Sequence, residues 1–115
     1  MRAAERPVDL GHLDRYTGGS RALNEEILRL FEKQCRELLV KMETLAKTAD
    51  AKSWREVAHT LKGAARGVGA FPLADAAAAA ETADPANAPM ARAVLQQIRG
   101  KSQAVENFIE SFLAH

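Results

Sequence analysis

His59, Lys62 and Gly63 stand close together in the segment Ala58-His59-Thr60-Leu61-Lys62-Gly63-Ala64-Ala65-Arg66-Gly67-Val68-Gly69-Ala70. With His59 at angle zero on a helix, Val57, Leu61 and Val68 fall at about 160°, about 200° and about 180°. Trp54 falls at about 220° and Ala65 at about 240°. The apolar face is therefore centred opposite His59, and the imidazole is expected to face solvent. Lys62 at about 300°, Arg66 at about 340° and Gly63 at about 40° share its side of the helix.

A neutral imidazole, with a reference pKa of about 6.5, is a competent nucleophile toward phosphorus near neutral pH. The charge of the resulting phosphohistidine would be partly balanced by Lys62 one turn away, with Arg66 as a second donor. Gly63 and Gly67 interrupt a helix interior, where each costs about 1 kcal/mol relative to alanine. On the histidine side they would leave a clearing for a phosphate or another protein's backbone. Spacing alone leaves plainer alternatives open. His59 can be an ordinary surface histidine, Lys62 and Arg66 a solvated face, and the glycines a close-packing device against a neighbouring helix.

The rest of the chain supplies helices to hold this segment. Pro7-Val8-Asp9 can start a short helix carrying Leu10, Leu13 and Tyr16, ended by Gly18-Gly19, with Ser20 as the next N-cap. Leu23, Ile27, Leu30, Phe31, Gln34, Cys35, Leu38, Met42 and Leu45 recur at helical spacing and predict one buried face of a long second helix. A polar connection from Thr48 to Lys52 follows. Ser53, with Glu56 completing a capping box, is expected to open the third helix, which runs to about Gly69 as its C-cap. Gly69-Ala70-Phe71-Pro72 turns the chain into an alanine-dense fourth helix that stops before Asp84-Pro85. Asn87-Ala88-Pro89 opens a fifth, with Met90, Val94, Ile98, Val105, Phe108, Ile109 and Phe112 on one side and Gly100 as a local weak point. Short loops between long amphipathic helices imply an all-α fold, an antiparallel up-and-down four-helix bundle with a short N-terminal helix.

Composition narrows the function. The 115 residues, 47% hydrophobic and 27% charged, suit one folded domain spanning 1–115, read as free-standing. Sixteen basic and fifteen acidic residues nearly cancel, which argues against a nucleic-acid binder or a polybasic membrane anchor. No apolar stretch is long enough to span a bilayer and no signal-peptide pattern opens the chain, so a cytoplasmic location is expected. The lone cysteine, Cys35, sits on an apolar stripe and is read as core packing. His12, His59 and His115 lack the paired spacing of zinc sites, and His115 is expected to fray as a terminal residue.

The segment from Ala58 to Ala70 resembles the signature of histidine-containing phosphotransfer (HPt) domains: His-x-x-Lys-Gly and a glycine six residues after the first. His59, Lys62, Gly63 and Gly69 match it position by position. Leu73 to Glu81 is similar to the family's following helix. Val8-Asp9-Leu10, Thr17-Gly18-Gly19 and Phe31 are similar to its N-terminal half.

The resemblance implies a phosphoryl carrier without its own ATP site, phosphorylated on the Nε2 of His59. It would exchange phosphate with the aspartate of response-regulator receiver domains and with hybrid histidine kinases. The resemblance further implies that Lys62 stabilises the phosphorylated form and that Gly63 makes room for the receiver. It implies no cofactor on this chain, Mg²⁺ belonging to the receiver. Arg66 is not fixed by the family pattern.

A kinase dimerisation domain fits less well, because there an acidic residue and then an arginine usually follow the histidine, whereas Thr60-Leu61-Lys62 follow His59. A structural or adaptor bundle without phosphoryl chemistry would not need His59, Lys62 and two costly glycines on one face. One chain supplies enough amphipathic helices to close a bundle, so a monomer is expected.

Glu81 has a place in this scheme. With the hairpin between the third and fourth helices centred near Ala70, His59 and Glu81 lie equally far from the turn and at similar height. In the resembled family this position commonly bears a glutamate or glutamine near the histidine. Glu81 would then accept a hydrogen bond from the Nδ1 proton of His59 and leave Nε2 unprotonated. A surface salt bridge or a helix-end charge is the competing role, since height does not fix the face it takes.

Overall fold

The computed structural model describes residues 6–114. Met1 to Glu5 and His115 lie outside the described residues, and with them the ends of the 1–115 span and the expectation for His115. Five helices follow in chain order: α1 (Leu10–Thr17), α2 (Arg21–Thr48), α3 (Ala51–Gly67), α4 (Phe71–Glu81) and α5 (Ala88–Ala114). No strand occurs among the described residues.

The caps explain the boundaries. Asp9 caps α1 by accepting from the His12 amide, and Ser20 caps α2 by accepting from the Leu23 amide. The third helix starts earlier than the capping-box pattern predicts. Asp50, not Ser53, is its N-cap, and the Asp50 Oδ1 accepts from the Ser53 amide at 3.1 Å. Ala49 in the left-handed region (φ 54°) reverses the chain, so the connection shrinks to Ala49 and Asp50. At the other end α3 stops at Gly67 with Val68 as C-cap, and Gly69 takes φ +83°. A Cβ on Gly69 would stand 2.6 Å from the Asp9 carbonyl oxygen. Only glycine suits that position, because the Asp9 amide donates to the Gly69 carbonyl at 2.9 Å and brings the two backbones together.

The core is built from one arc of each long helix, with Leu28, Met42, Trp54, Leu61, Leu73, Ile98 and Ile109 fully buried. The helices α2 and α3, α3 and α4, α4 and α5, and α5 and α2 pack in pairs, which closes a ring, and α1 lies on α2. Along the α2–α5 seam Arg36 meets Glu106 and Glu43 meets Arg99, and the Cys35 thiol meets the Ser102 hydroxyl at 3.3 Å. Burial pushes the Cys35 thiol pKa up, more than the Ser102 hydrogen bond lowers it.

The buried arcs differ from the sequence expectation where small or polar residues take core positions. In α2, Leu23 and Leu30 are exposed, whereas Leu28 and Asn24 are buried. Asn24 is satisfied there, accepting from the Thr17 hydroxyl at 2.6 Å and donating to Asp14 at 2.8 Å, which pins α1 to α2. In α5, Ala91, Leu95 and Ser102 join Ile98, Val105 and Ile109 inside, while Met90 is exposed and Val94, Phe108 and Phe112 are half-buried. Tyr16 of α1 is exposed. Gly100 does not interrupt α5.

Candidate functional site

The α3 helix turns Trp54, Ala58, Leu61 and Ala65 into the core, and this sets the opposite face outward. Trp54 also fixes the height of α4, because its indole Nε1–H donates to the Ala80 carbonyl at 2.7 Å. That bond places Glu81, the last residue of α4, beside the outward face of α3.

His59 is 67% exposed, and its Nδ1 lies 2.8 Å from Glu81 Oε2. The second carboxylate oxygen, Oε1, accepts from Lys62 Nζ at 2.6 Å. Lys62 and Glu81 are largely covered, at 19% and 20% exposure, so the bridge sits below the ring. The Lys62 hydrogen bond first and the His59 hydrogen bond second hold the Glu81 carboxyl below the usual carboxylate range. An ionised carboxylate only accepts, so in this bridge Nδ1 is the donor, and the neutral form of the ring presents its lone pair on Nε2.

Of the residues singled out in the sequence, the structure brings His59, Lys62 and Glu81 into one hydrogen-bonded group. The glycines belong to its surroundings. A Cβ at Gly63 or Gly67 would meet nothing within 4 Å, so close packing does not account for either, and the face beside His59 is clear. Arg66 is exposed on this side and has no ion pair among the described residues. Arg55, one turn before His59, occupies the same side and lines a surface depression together with Glu81, Thr82 and Asp84. Sequence reasoning passes over Arg55, although a helical angle of about −40° from His59 places it in the row of Lys62 and Arg66. It also passes over the Trp54 hydrogen bond, which no spacing rule indicates.

The sequence model of the Hpt domain family matches residues 26–112, a span that holds α3, α4 and most of α2 and α5. The comparisons with curated proteins and with solved structures give no match. Hpt domains are phosphocarriers of histidine phosphotransfer in phosphorelays, and they interact with the receiver and kinase domains of two-component systems. Matched over most of its length and all-helical, the chain belongs to the Hpt domain family.

Proposed function

We propose that this chain accepts a phosphoryl group on His59 Nε2 and exchanges it with the aspartate of receiver domains. The observation that carries the proposal is the 2.8 Å bridge from Nδ1 to Glu81 beneath an exposed ring. It supports a single tautomer with its nucleophilic nitrogen outward before any partner arrives. In the forward step the Nε2 lone pair forms the N–P bond. The P–O bond of the receiver's aspartyl phosphate breaks, and the electron pair leaves with the carboxylate. The proton stays on Nδ1 throughout, donated in a hydrogen bond to the Glu81 carboxylate, which stabilises the positive charge that the ring acquires. Lys62 holds Glu81 in place and adds positive charge near the phosphoryl group. Gly63 and Gly67 give the receiver its approach.

The remaining features follow from the same reading. The chain hydrolyses no nucleotide, and Mg²⁺ is the receiver's. The protein works as a cytoplasmic monomer, with kinase and receiver docking in turn on α3. Its ring of helix pairs is that of an antiparallel up-and-down four-helix bundle, supported by the opposed sense of the pairs Arg36–Glu106 and Glu43–Arg99. The test is transfer from a phosphorylated receiver. The wild-type chain should take up an acid-labile, base-stable label, and His59→Gln should take up none. Persistent labelling of that variant would remove His59 from its role.

A further inference from the structure

Lys62 is the cation that the sequence places nearest to His59, yet it is already engaged. Its Nζ lies on Glu81 Oε1 and its side chain is mostly covered. The other Glu81 oxygen holds Nδ1. A phosphoryl group on Nε2 would stand on the far side of the ring from this bridge, toward solvent. Such a group carries a charge of about −1.5 to −2 at neutral pH and three strong acceptor oxygens. It therefore needs a donor on the outer face.

Arg55 and Arg66 are the exposed arginines in the row of His59, and neither has an ion pair among the described residues. Distance separates them. Arg55 lies about 6 Å from His59 along the axis, and Arg66 about 10.5 Å. Helical side chains all lean toward the N-terminus, so the lean shifts His59, Arg55 and Arg66 alike and leaves the axial separations as they are. Arg55 also shares a depression with Glu81, which already touches the ring. Asp84 is the other acid lining that depression, a single negative charge against the near-double charge of a phosphoryl group.

Given the carrier role proposed for His59, on which this rests, we propose that Arg55 is the phosphoryl-binding cation of the site. Its guanidinium takes two oxygens of the group on His59 Nε2, while Lys62 stays with Glu81. The planar fork of arginine fits this bidentate contact. Arg55 forms no covalent bond in the transfer. As the N–P bond forms and the aspartyl P–O bond breaks, it neutralises charge on the non-bridging oxygens. In the reverse step the receiver carboxylate attacks phosphorus, the N–P electron pair returns to Nε2, and the contact is released.

The test is a ³¹P NMR pH titration of the full chain, phosphorylated with phosphoramidate, together with its exchange equilibrium against a receiver. Arg55→Gln should raise the pKa of the phosphoryl group by about half a unit or more and move the equilibrium about fivefold toward the receiver. Arg55→Lys should recover part of both. Arg92→Gln, an exposed change on α5, should alter neither, and the melting temperature should hold in all variants. An unmoved pKa and equilibrium in Arg55→Gln would overturn the assignment. So would equal effects of Arg55→Gln and Arg66→Gln, or an effect of Arg66→Gln alone. A wild-type chain that takes no phosphoryl group would instead overturn the carrier role itself, so the two failures are distinguishable.

Discussion

Glu81 joins two side chains of α3 through its two oxygens, so its ionisation reports on both partners. Its lowered pKa means that the bridge is present above the ordinary carboxylate range and is lost only as pH falls through the lowered value. The δ-carbon of Glu81 should therefore titrate in ¹³C NMR below the ordinary glutamate range. Because the Lys62 bond is the larger cause, Lys62→Met should raise the midpoint more than His59→Gln does. In Glu81→Ala the imidazole should populate both tautomers by ¹⁵N NMR, and phosphorylation of His59 should slow. Unchanged tautomers and an unchanged rate would leave Glu81 a salt-bridge residue only. Gly63 is tested by a bulky replacement. Gly63→Gln adds a side chain into open space, so stability should hold or rise by up to about 1 kcal/mol while receiver affinity falls at least about tenfold by calorimetry. Normal receiver binding would show that the clearing is unused.

At the scale of the elements, the turn between α3 and α4 depends on Gly69. Gly69→Ala forces a Cβ into a left-handed residue and against the Asp9 carbonyl, so it should cost about 1–3 kcal/mol in denaturant unfolding. It should also speed hydrogen exchange at the Asp9 amide, the donor to Gly69. A variant as stable as wild type would mean that the two backbones can part freely. Gly69 was legible in the sequence as a helix-ending glycine, but its contact with Asp9 was not, because sixty residues separate the partners. The same limit recurs elsewhere. Large apolar side chains at helical spacing marked the buried faces of α2 and α5, yet they drew attention to Leu23, Leu30 and Met90 and away from Asn24, Ala91 and Ser102. Periodicity weighs hydrophobicity, whereas packing also selects for size and for an available hydrogen-bond partner. The α3 start was misplaced for a related reason: Asp50 and Ser53 are both good caps, and the left-handed Ala49 decided between them. In the site, helical angles gave the outward face of His59, and hairpin height brought Glu81 level with it. Which way Glu81 faced depended on the seating of α4 against Trp54.

For the whole molecule, the helices α2 to α5 pack in a closed ring of pairs around a core that buries Trp54, Leu28, Met42, Leu61, Leu73, Ile98 and Ile109 within one chain. Light scattering at micromolar concentration should therefore return the monomer mass, and a stable dimer would contradict this. The buried face of α4 is made of Leu73 and four alanines, Ala74, Ala76, Ala77 and Ala80. Such a surface has few knobs to resist motion along its own axis. The Ala80 carbonyl and both Glu81 oxygens are bonded at its C-terminal end, all to side chains of α3. The α4 helix is thus held at both ends, by the Gly69 and Ala70 backbone bonds at its start and by these three bonds at its tip. A slip of one helical turn, about 5.4 Å, would open all three bonds together. The His59 ring and the Lys62 ammonium would then lose their shared carboxylate in a single event.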